Sequence, residues 1–423
     1  MPSSVTFRRR RVTALNFFPA FLPPTSGGEL RYYHVYRNLG RHYDVDLLSP
    51  THPFVAPEVA PIAPGVVEHR VPKSRRHVTL QHAFDTLAGF PECSALVVSL
   101  VSYLEPRYKA LVKDLCSRSE VVVHEFPFLF RHARKRPGQL LVYDAHNVEF
   151  DMQRSMLRGP LGRVLCQYVK RLELLACRES DIVFVTSADD RRRLASLYRI
   201  PPAKVFVAPN GVDVAGVGYV SEGERTEARR QLEISGDAHL LLFVGSFHPP
   251  NIQAVEYLIA HLARRLPDKT VVIAGSVARA VPPTGVPDNV VCLGRVSDAA
   301  KTLLLRASDV GLNPMFSGSG TNLKMLEYLA AGLPVVATPV GARGLDVVDG
   351  EHVVVSAVDR FPEAIDRVLT DRELRLRLRA RGRRLVEERY DWPTIVEDMY
   401  GTLEAALATS AQERAAGSRR SSG

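Results

Sequence analysis

A chain of 423 residues with 46% hydrophobic and 24% charged residues and a formal net charge of +9 is too long for one core, so two domains of about 200 residues each are expected. Its apolar runs, such as SALVVSLVSYL (94–104) and LLLFVGSF (240–247), fall short of the ~18 residues of a membrane-spanning helix, and its five scattered cysteines (Cys93, Cys116, Cys166, Cys177, Cys292) lack the spacing of a disulfide framework or zinc site, which fits a reducing cytoplasm. The arginine-dominated charge suits anionic partners, nucleotide diphosphates or acidic phospholipid headgroups, or is a solvated surface; no basic-aromatic module speaks for nucleic acid.

In chain order, RVTALNFF (11–18) predicts a first strand rather than a leader peptide. The loop PAFLPPTSGGE, a helix over about 30–41 and the strand YDVDLLSP follow. This opens a doubly wound parallel sheet. Further strands are expected at SALVVSL, EVVVHEF (120–126), QLLVYDAH (139–146), DIVFVTS (181–187) and KVFVAPNG (204–211), mostly continuous apolar runs of the kind buried on both faces. After a polar segment (221–239) a second series begins: LLLFVGS, TVVIAGS, NVVCLGRV, SDVGLNPM, PVVATPV and HVVVS. Two successive series predict an α/β protein of two Rossmann-like domains facing a cleft, 1–212 and 213–408, with the last helix crossing back to the first domain and a disordered tail over 409–423.

The most informative stretch is SGSGTNLKMLEYLAAGLPVVATPVGARG (317–344). A helix is expected over about 321–331, ended by Gly332 and Pro334, with Leu323, Met325, Leu326, Leu329 and Ala330 toward the sheet and Lys324, Glu327, Tyr328 and Ala331 on the opposite side. Gly318, Ser319 and Gly320 let backbone approach a ligand, while the first-turn N–H groups of Thr321 and Asn322 onward favour an anion, best a phosphate. Lys324 adds a mobile charge there. Glu327 would repel a phosphate and better accepts sugar hydroxyls; the alternative is a surface Lys324–Glu327 pair of a few tenths of a kcal/mol.

This segment resembles the donor motif of glycosyltransferase family 4, retaining enzymes of GT-B architecture. Similar to that family, in order, are FLPPTSGGELRYYHVYRNLGRHYDVDLLS (21–49), YDAHNVEFD (143–151), VTSADDRRRL (185–194), VFVAPNGVD (205–213), LLFVGSFHPPNIQAVEYL (241–258), LGRVSD (293–298) and ERYDW (388–392). The resemblance implies a hexosyltransferase of nucleotide-diphosphate sugars (UDP- or GDP-linked), without cofactor or metal, acting on a glycan, lipid-linked or small-molecule acceptor in surface polysaccharide or glycoconjugate synthesis.

It implies that Glu327 holds the nucleotide ribose. The first Glu of the family's motif falls on Ser319, and the diphosphate-binding Arg and Lys fall on Ser246 and Asn251, which leaves Lys324 to supply the charge. Gly27 and Gly28 would lie across the cleft near the donor phosphate, the base near Arg295 and Val296, and His146 at the reaction centre, unless it is a loop histidine bonded to backbone. His124 is a weaker candidate, structural or acceptor-side. The alternatives are a non-catalytic nucleotide-sugar-binding subunit or a sugar-nucleotide epimerase; GSGTNL lacks the third glycine of a dinucleotide fingerprint. Asp44-Val45-Asp46 matches a short metal-binding pattern that recurs by chance. RRRR (8–11), KSRR (73–76) and the Arg-rich segment 372–384 could touch an anionic membrane peripherally, or be solvated.

Overall fold

A computed structural model describes residues 9–24, 26–88, 94–102, 105–132, 135–157, 159–235, 237–318 and 320–421. It divides into two compact units, residues 1–209 with 395–423, and residues 210–394. The boundary expected from sequence lies a few residues later, after 212, with the second domain ending at 408. The final helix, Trp392–Ser421, starts in the second unit and continues into the first. It also runs through the stretch expected to be a disordered tail from 409.

The first unit is built on β1 (Arg11–Leu15), β2 (Asp44–Thr51), β3 (Glu58–Ala63), β4 (Val66–Pro72), β5 (Val121–Glu125), β6 (Leu140–Ala145), β7 (Ile182–Val185) and β8 (Val205–Val207), in the order β3-β4-β2-β1-β5-β6-β7-β8. All pairs are parallel except β3 with β4. The central strands β5 and β6 are buried at every position, the consequence of helices covering both faces of a parallel sheet.

Two expectations fail here for physical reasons. SALVVSL forms a helix, Ser94–Val101, whose Leu96, Val97 and Val101 pack with Phe126, Phe128, Leu165 and Val169; a short, almost wholly apolar run carries no period to separate helix from strand. The antiparallel β3 and its partner β4 escape the pattern because β3 carries Pro61, tolerated only at an edge. In β4 the inward position is Glu68, fully buried and satisfied by the Ala20 N–H, Ser49 Oγ and Arg70 Nε at 2.7, 3.0 and 2.8 Å.

The second unit holds β9 (His239–Val244), β10 (Lys269–Ala274), β11 (Val290–Gly294), β12 (Val310–Asn313), β13 (Val335–Ala337) and β14 (Val354–Val355), ordered β11-β10-β9-β12-β13-β14 and parallel throughout. The Leu323–Ala331 helix buries Met325, Leu326, Tyr328, Leu329, Ala330 and Ala331. Tyr328 and Ala331, expected on the outer side, are therefore core. Gly311 in β12 makes room for this helix, since a Cβ there would stand 2.5 Å from the Tyr328 ring. The Tyr328 hydroxyl accepts the Val244 N–H at 2.9 Å, giving the buried phenol the partner it needs.

Candidate functional site

In the second unit the chain enters the Leu323 helix through Gly318 at φ 133° and Gly320 at φ 68°, the region that favours glycine. Ser319 lies outside the described residues. The helix begins at Leu323, two residues later than expected, because Asn322 stays extended and turns its side chain to the Gly341 carbonyl at 3.1 Å instead of capping the helix. First-turn N–H groups are thus left without a side-chain acceptor, and the buried Thr321 Oγ1 has no partner. An uncapped helix N-terminus beside an orphaned hydroxyl is what an anion would satisfy. Arg343 donates to the Gly318 carbonyl at 2.6 Å and pins the loop; nothing in the sequence marked it.

Lys324 and Glu327 do not pair with each other. Lys324 Nζ donates to Asn251 Oδ1 at 2.8 Å and lies 4.2 Å from the Phe243 ring centroid, while Asn251 Nδ2 donates to the Ser246 carbonyl at 3.0 Å. The structure therefore unites Ser246, Asn251 and Lys324, which the sequence suggested separately. No carboxylate faces the ammonium among the described residues, and burial lowers its pKa to about 7. Glu327 Oε1 instead takes Lys301 Nζ at 2.9 Å, a partner 26 positions away that no local spacing predicts. Arg295 is exposed and Val296 half-buried after β11, two strands from β9; Val296 packs against the core cluster that holds Met325 and Leu326 of the Leu323 helix.

In the first unit His146 follows β6 at the carboxyl end of the sheet, where open α/β folds place ligands. Its Nε2 is 2.5 Å from Glu125 Oε2, and its ring lies against Phe126 with centroids 4.2 Å apart. It is thus held by a carboxylate at the end of β5, not by backbone alone. Gly27 and Gly28 form the first turn of the Gly27–Leu39 helix, capped by Ser26 and Glu29, rather than a loop; the stretch SGGE carries the capping box. A Cβ on Gly28 would stand 3.9 Å from His146 Nδ1 and 3.7 Å from Phe18. Gly28 therefore keeps the space beside the free ring nitrogen open.

Behind His146 lies a buried charge network. Arg31, 1% exposed, holds Asp144 with Nε at 3.1 Å and Nη2 at 2.6 Å, and its Nη1 reaches the Ala208 carbonyl at 2.9 Å. Tyr36 donates to Glu125 Oε1. Burial, then the charge of Asp144, raises the Glu125 pKa. Glu125, Asp144 and His146 offer ligand atoms within 4.8 Å of one another, but with both Asp144 oxygens on Arg31 a cation would face a guanidinium, so the set reads as a charge network. His124, the next residue along β5, points the other way, fully buried with neither ring nitrogen partnered; burial lowers its pKa to about 3. It is a core residue. Asp46 Oδ1 sits 2.8 Å from His69 Nε2 across β2 and β4.

The turn after His146 is carried by a second carboxylate pair. Glu173 accepts the Glu149 and Phe150 N–H groups at 2.7 and 3.1 Å and the Tyr198 hydroxyl at 2.6 Å. Burial raises Glu173 to about 7, and burial with the Glu173 charge raises Glu149 to about 8. Such carboxyls keep their protons in the folded chain at pH values where the unfolded chain has released them. Their contribution is whole below the ordinary carboxyl range and is lost as pH rises through about 7 and then about 8. The denaturation midpoint of the first unit is expected to fall between about pH 5 and pH 8, and Glu149→Gln to flatten that fall; equal slopes in both proteins would reject the assignment.

Most of the arginines read as membrane-facing are occupied. Arg375, Arg377, Arg379 and Arg383 cap the carbonyls of Leu369, Gly350, Val220 and Ala330, and Arg10 pairs with Glu404. Arg75 and Arg76 stay exposed without an ion pair among the described residues. No helix among the described residues is long and apolar enough to cross a membrane.

Comparison with known proteins finds matches over both halves of the chain. Residues 25–215 match the model of Glycosyltransferase Family 4, and residues 238–371 that of Glycosyl transferases group 1. The chain is 32% identical over 310 residues to a D-inositol 3-phosphate glycosyltransferase of Geodermatophilus obscurus, covering 68% of this chain and 65% of the relative. It is 30% identical over 308 residues to the protein of the same name in Acidothermus cellulolyticus, covering 68% and 67%. The chain thus spans about two thirds of these relatives. Its fold is similar to sucrose-phosphate synthase of Thermosynechococcus elongatus (TM-score 0.71, 16% identity, 95% of this chain and 100% of the other). It is also similar to Anabaena HepE solved with UDP-glucose (TM-score 0.64, 16% identity, 93% and 99%). The matches over both halves, the 30% identity over two thirds of a relative's length and the two units built on largely parallel sheets together make this chain a member of the family 4, group 1 glycosyltransferases of GT-B architecture.

Proposed function

We propose that this protein transfers a hexose, with retention of configuration, from a nucleotide-diphosphate sugar to an acceptor hydroxyl. The observation that carries this is the Leu323 helix terminus with Lys324, Asn251 and the orphaned Thr321 hydroxyl beside it. In this reading the leaving diphosphate settles on the helix N-terminus and Lys324, preorganised positive elements that meet its developing charge without a metal ion. Glu327, shared with Lys301, accepts the ribose hydroxyls. Ser246 and Asn251 line the phosphate path, Arg295 and Val296 the base. The departing phosphate oxygen takes the acceptor proton, and His146, oriented by Glu125, positions the sugar and stabilises its positive charge.

The HepE complexes with UDP and UDP-glucose favour UDP as the carrier. The names of the inositol 3-phosphate, sucrose-phosphate and trehalose 6-phosphate enzymes favour an acceptor bearing a phosphate, free or lipid-linked. The setting is cytoplasmic, with peripheral contact at an anionic membrane face and a role in surface polysaccharide or glycoconjugate synthesis.

Calorimetric titration with UDP, GDP, ADP and their sugars tests the donor half. One nucleotide is expected to bind, and Glu327→Ala to weaken it by about ten-fold, the worth of a charge-assisted hydrogen bond. Unchanged binding and transfer in Glu327→Ala would sink the reading, and donor turnover without any acceptor would point to an epimerase instead.

A further inference from the structure

One cation of the second unit meets the glycine loop without meeting a carboxylate. Arg343 caps the short Pro339–Ala342 helix that follows β13, is exposed, and gives one N–H of Nη2 to the Gly318 carbonyl at 2.6 Å. Its place is fixed from behind. The Gly341 carbonyl accepts Asn313 Nδ2 at 2.9 Å and Asn322 Nδ2 at 3.1 Å, and Thr338 Oγ1 accepts the Gly341 N–H at 3.0 Å while donating to the Met315 carbonyl at 2.6 Å. The acidic residues that follow in sequence are engaged elsewhere, Asp346 with Arg389 at 2.7 Å and Asp349 with the Val355 N–H at 2.7 Å. Arg343 has no ion pair among the described residues, so most of the five N–H groups of its guanidinium remain for a ligand.

The loop runs between this cation and the Lys324 group. On the β9 side, Ser317 Oγ donates to Gln253 Oε1 at 2.8 Å, and a Cβ on Gly318 would stand 3.7 Å from Pro250, the residue before Asn251. On the β13 side stands Arg343. Only β12 lies between β9 and β13, so the two cations flank the loop across two strand spacings, roughly 10 Å. A diphosphate seated on Lys324 and the Leu323 helix terminus leaves Arg343 to the group that the diphosphate carries. The hydroxyls of a neutral hexose take single N–H bonds from a guanidinium. A hexuronic acid instead presents a planar carboxylate that takes two parallel bonds from the fork, and no carboxylate bonds to the loop among the described residues to repel it.

Resting on the transferase reading above, we propose that Arg343 selects a donor whose sugar is a hexuronic acid. Two neighbouring guanidinium nitrogens hold the C6 carboxylate side by side, and the ring lies along the bare backbone of Gly318 and Gly320. The carboxylate takes no part in the transfer; it fixes the sugar at the end far from the bond that breaks.

The full chain is titrated calorimetrically with UDP-glucose beside UDP-glucuronate, UDP-galactose beside UDP-galacturonate and GDP-mannose beside GDP-mannuronate, and with UDP and GDP alone. At least one uronate is expected to bind about ten-fold or more tighter than its hexose, the worth of a charge-assisted pair. Arg343→Gln should bring that ratio to about one, since it removes the charge that only the carboxylate senses. Both members of a pair meet the same loop, so any slackening on losing the Gly318 contact cancels in the ratio. The inference is overturned if the wild type prefers no uronate, or if the preference survives in Arg343→Gln. Arg343→Gln weakening UDP alone as much as every sugar, with no uronate preferred by the wild type, would give this arginine to the diphosphate instead. UDP or GDP binding without a uronate preference removes this inference alone, whereas binding of neither nucleotide removes the transferase reading with it.

Discussion

Lys324→Met is expected to weaken UDP binding by about 10- to 100-fold, the worth of a charge-assisted hydrogen bond in a half-buried site. It is also expected to abolish a pH dependence that the wild type shows. The Lys324 ammonium titrates at about 7 in the free protein because burial disfavours its charge and no carboxylate offsets it. A bound diphosphate must raise that pKa, since opposite charge at contact favours the ionised form. Below about pH 7 the lysine is charged both free and bound and contributes no slope. Above it, binding takes up a proton, and the dissociation constant rises by up to ten-fold per pH unit until the pKa of the complex is reached. A terminal phosphate titrates near pH 6, so the informative window lies above about 7. Calorimetry in buffers of different ionisation enthalpy measures the proton uptake directly. Equal slopes for wild type and Lys324→Met would place the diphosphate elsewhere.

Arg31→Met should be the most damaging single change to stability. It leaves Asp144, 1% exposed, without its bidentate partner while Glu125 and its charge remain close by. Removing one member of a buried ion pair costs ~3–5 kcal/mol, and the carbonyls of Ala208 and Pro209 lose their donor as well. In denaturant titrations the transition of the first unit should move by that amount, and that of the second unit should not. Arg31→Met with Asp144→Asn should recover part of the loss, because the uncompensated charge goes with it. A single variant as stable as the wild type would mean that water reaches Asp144 freely, contrary to its burial.

Lys324 and Arg31 also separate what is local in this sequence from what is not. The parallel strands were legible because helix-covered sheets demand continuous apolar runs. The glycine loop and the helix start behind it were legible because both are local features. Gly332 at φ 69° is likewise a local matter, since helix ends favour glycine in the left-handed region. Pairings were not local. Lys324 meets Asn251 across 73 positions and Glu327 meets Lys301 across 26, so the helical Lys–Glu spacing suggested a contact that tertiary packing replaced with two others. Arg31 and Asp144 are 113 positions apart, and Glu125 reaches His146 across adjacent strands. Each reads as an ordinary polar residue until β5 and β6 lie side by side. By itself, then, the sequence determined the α/β class, the two-unit plan and the glycine loop that opens the Leu323 helix, since periodicity, glycine and capping act within a few residues. Only the tertiary structure decided which charges are buried, which are paired and which wait for a ligand, because burial and pairing depend on neighbours the chain brings from far away.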